Sequence, residues 1–267
     1  MIKSITSRDN ALLRLARAVR EGKDTDYVFV EGLRLCAEAL RSSLDIDAVI
    51  VSEELLRKER AAEAIGELAE VARRSASVSE KLLESISYTK TPQGIVVLAG
   101  RPESSEKRLS ASVDESSLLV VMHQINNPVN VGAILRTAEA AGVGGVIATR
   151  NTTDPFSPKS LRGAMGSAFR LPIWTGPEYG EVIRWCSERR IQTVCADADA
   201  TLSYTDLDWK RGSALIMGPE STGLTDAETK SASQIVSIPM HGAVESLNVS
   251  VAAGILLFEA ARQRSLH

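Results

Sequence analysis

The sequence predicts an α/β protein in two parts, a smaller N-terminal α/β domain and a larger domain built on a parallel sheet. Three observations carry this reading. Short apolar runs alternate with stretches of helical periodicity along most of the chain. A polar, serine-rich segment at 101–116 interrupts the alternation and reads as a linker. Beyond it the apolar runs are continuous, as in strands covered on both faces of a sheet.

Residues 1–100 make the first domain. Leu12, Leu13, Leu15, Ala16 and Val19 have helical spacing within 10–19. A short strand at 27–30 precedes a helix through Leu33, Cys36 and Leu40, and a strand at 48–51 follows. Residues 53–73 read as one charged amphipathic helix, 79–86 as a short helix and 94–99 as a strand. No catalytic constellation is visible in this part.

Residues 117–267 make the second domain. Strands are expected at 118–122, 145–149, 192–196, 214–217 and 235–238. Helices fall at 131–141, 158–168, 178–190, 225–232 and 247–264. Ligands on such sheets bind beyond the carboxyl ends of the strands. The loops of interest are therefore 123–131, 150–158, 197–205, 218–224 and 239–247.

Bulk composition narrows the class. With 44% hydrophobic and 24% charged residues, the chain is an ordinary globular protein. No apolar run reaches the length of a membrane span, and the N-terminus lacks a signal-peptide core, so a cytoplasmic location is expected. Cys36, Cys186 and Cys195 have no metal-ligand spacing and read as reduced and buried. His123, His241 and His267 are scattered, so no metal site is expected. A net charge of −3 gives no global pull toward nucleic acid. Residues 1–23 are locally basic, however, and read either as a binding surface or as a solvated helix face.

Three segments of the second domain carry chemistry. In the first, 123–142, Asn130 stands near a helix N-cap and Gly142 near its C-cap. Arg136 lies in the second turn. A helical side chain leans back over positions i−3 and i−4, here Ala133 and Gly132, so Arg136 can reach toward the loop at the helix mouth. Alternatively it pairs with Glu139. In the second, Gly218 and Gly223 bracket a tight loop after a strand, and Thr225 with Glu228 fits a capping box. Glu220 is either a carboxylate held at the ligand edge or a plain loop charge. In the third, 238–254, Ser246 is placed to cap the last helix, whose stripe is Leu247, Val251, Ile255 and Phe258. Val249, Ala252, Ala253 and Leu256 make the other side apolar too, so the helix reads as core or subunit interface. Asn248 is then a buried amide in need of partners, or a satisfied one at the helix start. Neither the dinucleotide fingerprint nor a P-loop is present.

Together these segments resemble the SpoU (TrmH) family of AdoMet-dependent RNA ribose 2′-O-methyltransferases, within the SPOUT superfamily. The family's first motif appears as Asn130, Gly132, Arg136, Thr137 and Ala138, and its glycine loop as Gly218, Glu220 and Gly223. Its last motif appears as the Ile-Pro-Met and Ser-Leu-Asn-Val-Ser-Val-Ala stretches within 238–252. Residues 154–172 are similar to the stretch that joins the first two motifs. The resemblance covers about 117–264 and implies a C-terminal trefoil knot that binds S-adenosyl-L-methionine (AdoMet), and a homodimer. A bottom-up reading alone excludes knots. The N-terminal part is similar to the RNA-binding module of the longer members, through Phe29, Glu31, Gly32 and the residues after them.

The resemblance implies site residues. Met217, Gly218, Glu220, Gly223, Ile238, Met240 and Leu247 would bind AdoMet. Arg136 is the central catalytic residue, cast in the family as a base, with Asn130, Glu220, Ser246 and Asn248 around it. A guanidinium hardly deprotonates, so a role in binding phosphate or a developing alkoxide fits better. Arg8, Arg14, Lys159, Arg162 and Arg170 are candidate RNA contacts. The expected activity is 2′-O-methylation of RNA, with large-subunit rRNA as substrate. The alternatives are a tRNA ribose methyltransferase and a non-catalytic RNA-binding or ribosome-assembly factor. No membrane partner is expected.

Overall fold

In a computed structural model, which describes residues 2–241 and 246–265, the chain divides into two compact units. Residues 1, 242–245, 266 and 267 therefore lie outside the described residues, and with them part of the 238–254 segment and His267. The first unit comprises Met1–Pro102 with Phe156–Arg170, the second Glu103–Pro155 with Leu171–His267.

The first unit runs β1 (Lys3–Ile5), α1 (Ala11–Arg20), β2 (Tyr27–Glu31), α2 (Leu33–Arg41), β3 (Ile46–Ser52), α3 (Glu53–Leu56), α4 (Glu59–Val71), β4 (Arg74–Val78), α5 (Glu80–Ile86) and β5 (Ile95–Gly100). Its sheet has the order β1-β4-β3-β5-β2. β5 runs antiparallel to both of its neighbours, and the other pairs are parallel. Asn10 caps α1 by accepting from the Leu12 amide at 2.9 Å, and Leu12, Leu13, Ala16 and Val19 are buried as the spacing requires.

The single helix expected over 53–73 is two helices. Ser52 caps the first turn, and the chain then opens at Arg57 and Lys58, where four consecutive charged residues offer no apolar face to hold a turn. β1 and β4 were not foreseen. They are short and polar, and pairing with each other and with β3 defines them more than propensity does.

The second unit begins where a linker was expected. Residues 101–116 contain α6 (Glu106–Ser110), capped by Ser105 and anchored by buried Leu109. Next come β6 (Leu118–Met122), α7 (Pro128–Ala140) and β7 (Gly145–Ala148). The chain then returns to the first unit for α8 (Pro158–Ala164) and α9 (Ser167–Arg170), a placement that differs from the domain boundary read from sequence. Arg170 pairs with Glu38 at 2.7 Å, and α8 packs on β2. The second unit resumes with β8 (Ile173–Thr175), α10 (Tyr179–Glu188), β9 (Gln192–Ala196), β10 (Ser213–Met217), α11 (Asp226–Ser231), β11 (Gln234–Val236) and α12 (Val249–Ser265).

All six strands of the second unit are parallel, in the order β11-β9-β10-β6-β7-β8. The sheet is the covered parallel sheet that the continuous apolar runs imply, with β6 and β10 buried along their whole length. Strand order reverses at β6, because the chain steps outward to β7 and β8 and then returns to β9 and β10 on the other side. Such a switch point opens a crevice at the carboxyl ends of the strands. The three cysteines are free and buried, and burial pushes the Cys195 thiol up to about 11. Among the described residues, no helix is long and apolar enough to cross a membrane.

Candidate active site

Three helix or loop starts converge beyond the carboxyl ends of β6 and β10. The first is α7. Its N-cap is Asn127, which accepts from the Val129 amide at 3.0 Å with Pro128 at the first helical position, so the helix starts one turn before the Asn130 cap read from sequence. Asn130 is thereby the third helical residue and only 6% exposed.

The second start is the loop after β10. A Cβ on Gly218 would sit 2.9 Å from Leu224 Cγ, and Gly223 has φ +63°, so both glycines are required by the backbone path. The loop ends at the capping box of Thr225 and Glu228, as its spacing predicts.

The third start is α12. Asn248, not Ser246, caps it: Asn248 Oδ1 accepts from the Ser250 amide at 2.9 Å and from the Ser250 hydroxyl at 2.6 Å. Ser246 and Asn248 are both exposed rather than buried.

One relay joins the three. Asn248 Nδ2 donates to Asn130 Oδ1 at 3.3 Å, and Asn130 Nδ2 donates to Glu220 Oε1 at 2.7 Å. A carboxylate only accepts, which fixes the Asn130 amide with nitrogen toward Glu220 and oxygen toward Asn248. Glu220 is thus a held carboxylate and not a free loop charge.

Beside the relay lies a cavity of about 510 Å³ that Met217, Gly218, Glu220, Gly223, Ser246, Leu247 and Asn248 help to line. A smaller recess of about 110 Å³, holding Ile238 and Met240, shares Ala196, Ser246, Leu247 and Ala252 with it. The recess also takes in Ala196, the end of the strand expected at 192–196, and Asp197 and Ala198, which lie in the loop expected at 197–205 but are not among the candidate site residues.

A second brace joins His123 to Glu228, the capping-box acid, across the end of the sheet. Buried His123, the first residue after β6, places Nε2 3.0 Å from Glu228 Oε1 and Nδ1 3.0 Å from Thr149 Oγ1, with the Tyr179 ring 4.7 Å away. Glu228 also bonds the amide and hydroxyl of Thr225, at the end of the glycine loop. Burial would raise the Glu228 carboxyl, but the two Thr225 bonds and the His123 ring outweigh it and hold it below its ordinary range. A histidine at the end of a parallel strand was the only signal, and its partner is 105 residues away.

Arg136 stands apart. It is exposed, and among the described residues no hydrogen bond or ion pair engages its guanidinium. Arg8, Arg14, Lys159 and Arg162 are exposed in the first unit, where Arg170 is held by Glu38.

Residues 117–258 match the SpoU rRNA Methylase family. The chain belongs to that family. Residues 11–97 match the MRM3-like substrate binding domain, so this SpoU methylase carries an N-terminal substrate-binding module. The 23S rRNA (guanosine-2′-O-)-methyltransferase RlmB of Bordetella pertussis is 35% identical over 199 residues, covering 72% of this chain and 79% of its own length. The 23S rRNA (uridine(2479)-2′-O)-methyltransferase of Streptomyces viridochromogenes is 34% identical, over 71% of this chain and 67% of its own. An AdoMet-bound rRNA methyltransferase from Sinorhizobium meliloti has the same fold, with TM-score 0.84 and 30% identity over 98% of both chains.

Proposed function

We propose that this SpoU methylase transfers the methyl group of AdoMet to a ribose 2′-hydroxyl of large-subunit ribosomal RNA. The observation that carries the reading is the Asn248–Asn130–Glu220 relay at the rim of the 510 Å³ cavity, in a chain of this family. The cavity lies within the usual range for small-ligand sites, roughly 300–1,000 Å³. Its donor set suits AdoMet: backbone of the glycine loop, apolar Met217 and Leu247, and a fixed carboxylate in Glu220. The recess with Ile238 and Met240 extends the apolar wall. When bound, AdoMet supplies an activated methyl on a sulfonium.

The protein's part is positioning and charge. The 2′-hydroxyl is a poor nucleophile until its proton leaves, and solvent water takes that proton because the guanidinium of Arg136 stays protonated. A guanidinium remains charged across the working pH range, so Arg136 acts as an electrostatic partner of the developing alkoxide or the adjacent phosphate. Asn130, Glu220 and Asn248 keep the loop starts in register, which is worth most where reacting atoms must be held close, and Ser246 lines the cavity beside them. The relatives described above act on a guanosine and on a uridine, which fits chemistry addressed to the ribose and a nucleobase chosen elsewhere.

The same reading includes a trefoil-knotted C-terminus and a homodimer, working in the cytoplasm where ribosomal RNA is modified. In support of the knot, Ser237 is hydrogen-bonded to both Leu202 and Tyr204, and Gln263 of α12 bonds Trp209, Thr205 and Leu207. The loop 202–209 thus straps the segment leading to α12 and the helix itself. In support of the dimer, α12 exposes Val251 and Phe258, and α7, packed against it, exposes Val129.

The test is methyl transfer from labelled AdoMet to 23S rRNA, 16S rRNA and tRNA by the full chain, followed by nuclease digestion and mass spectrometry. A 2′-O-methylated nucleotide in 23S rRNA is expected. Label in tRNA or on a base would move the substrate, and failure to bind AdoMet would leave a non-catalytic RNA-binding factor.

A further inference from the structure

Tyr88 is the only exposed tyrosine among the described residues, with 44% of its surface open. Single exposed rings are ordinary. Its backbone is not, because residues 85–89 are fixed from two sides by charged groups. The Arg20 guanidinium donates to the carbonyls of Ser85 at 3.3 Å and Ser87 at 3.1 Å. The Glu31 carboxylate accepts from the Tyr88 amide at 2.8 Å, the Thr89 amide at 3.2 Å and the Thr89 hydroxyl at 2.6 Å. Charge-assisted bonds of this kind are among the stronger ones in proteins. They order a short loop while its one large side chain stays in water.

Two exposed cations stand close to the ring in the cleft or in sequence. Arg162 lines the same small cleft as Tyr88, Thr89 and Glu31, and among the described residues nothing bonds its guanidinium. Lys90 is exposed two residues further on. Glu31, the acid that lines this cleft, is committed to the loop, while Glu84 is exposed on the helix four residues before the ring. The cleft measures about 20 Å³, enough for a water but not for a base, so a planar ligand has only the outer face of the ring to lie on.

We propose that Tyr88 is a stacking platform for an unpaired base of the RNA substrate, with Arg162 and Lys90 meeting the flanking phosphates. A pre-ordered ring beside free cations is the chemistry of single-stranded RNA contact, and a duplex stem asks for a basic stripe instead. The inference rests on the RNA reading above and deepens it by assigning a base contact to the first unit.

The test uses the full chain, AdoMet and deproteinised 23S rRNA made by transcription. Tyr88→Ala should weaken RNA binding about five- to a hundredfold, with AdoMet affinity by calorimetry unchanged. Tyr88→Phe, which keeps the π-face, should bind within about twofold of wild type. In a third variant, Tyr88→Trp, the emission in excess of the wild-type chain, whose Trp174, Trp185 and Trp209 are buried, should be quenched as RNA is added, a readout independent of whether the alanine variant folds. Wild-type affinity in Tyr88→Ala, or an unquenched indole on bound RNA, overturns the proposal. So does a Tyr88→Ala defect seen only with ribosomal particles, which would assign the ring to a ribosomal protein. If the wild-type chain neither binds nor methylates the RNA, the proposed function itself has failed, a result separate from any effect of Tyr88.

Discussion

Asn130 and Glu220, 90 residues apart, meet through a 2.7 Å hydrogen bond whose direction their chemistry fixes. The bond ties the first turn of α7 to the glycine loop after β10, and Asn248 extends it to α12. Three separate pieces of backbone are thereby held at one rim.

Breaking that bond should loosen the loop more than the fold. Asn130→Ala and Glu220→Ala should each lower AdoMet affinity about tenfold, since hydrogen bonds to charged groups contribute about 1.5–3 kcal/mol and Glu220 is partly solvated. The double variant should be little worse than either single one, because both remove one interaction. Asn130→Asp sets two carboxylates against each other and should be the most severe. Titration calorimetry on the four proteins decides it, and fully additive losses would dissociate the two residues.

Arg136 offers the cleanest separation of binding from chemistry. Exposed and outside the relay, its truncation should leave AdoMet affinity within about twofold while lowering kcat about 10²–10³-fold, the usual cost of removing one preorganised donor. Arg136→Lys should recover only part of the rate, because a point charge lacks the planar fork. Normal turnover by Arg136→Ala would remove it from the catalytic machinery.

The sequence marked most of these residues but not always their places. The Thr225–Glu228 box and the two loop glycines act locally and were legible. Asn130 and Ser246 were placed at caps because each stands near a helix start. The true caps, Asn127 and Asn248, lie within three residues, and the Pro128 signal was passed over. β1, β4 and β8 span three to five residues with little apolar content of their own or no room for a pattern, and pairing partners define them. The return of Phe156–Arg170 to the first unit and the His123–Glu228 contact depend on packing between distant segments, which periodicity does not encode. For α12 the pattern showed two apolar sides without saying which one faces inward. The structure buries Val249, Ala253, Leu256, Leu257 and Ala260, and leaves Val251 and Phe258 outside.

The His123–Glu228 brace predicts an acid limit. When ionised, Glu228 has no proton to donate, so His123 Nε2 donates to it. Its carboxyl is held below the ordinary 4.5, so the stability it contributes is present above that value and is lost as pH falls through the lower folded value. Melting curves between about pH 3 and 6 should show this loss in wild type and a shallower decline in Glu228→Gln. At neutral pH the same variant, and His123→Ala, should weaken AdoMet binding, because Glu228 also fixes Thr225 at the end of the loop. Identical acid limbs in wild type and Glu228→Gln would show that the brace does not set the limit.

The outer face of the helix pair predicts linked assembly and activity. On α7, Val129 and Arg136 are seven residues apart, and so are Val251 and Phe258 on α12. Seven residues is nearly two full turns, about 20° short of repeating, so each pair shares a face. Val129 is 48% exposed and Phe258 53%, and α7 and α12 pack together, with Gly254 close enough to Thr137 that a Cβ would lie 3.7 Å from its methyl. Apolar side chains left outside on two packed helices are the usual mark of a subunit contact. A charge there should be tolerated by the monomer and rejected by the dimer. Phe258→Glu and Val251→Glu should therefore elute as monomers by light scattering with their melting behaviour intact. Turnover should fall by about tenfold or more, since Arg136 shares the α7 face with Val129 and would lose its setting along with the contact. Val71→Glu, at an equally exposed valine on α4, is the control and should change neither mass nor rate. A dimeric Phe258→Glu protein of normal activity would place the subunit contact elsewhere, and Arg136 would then have to act within its own chain.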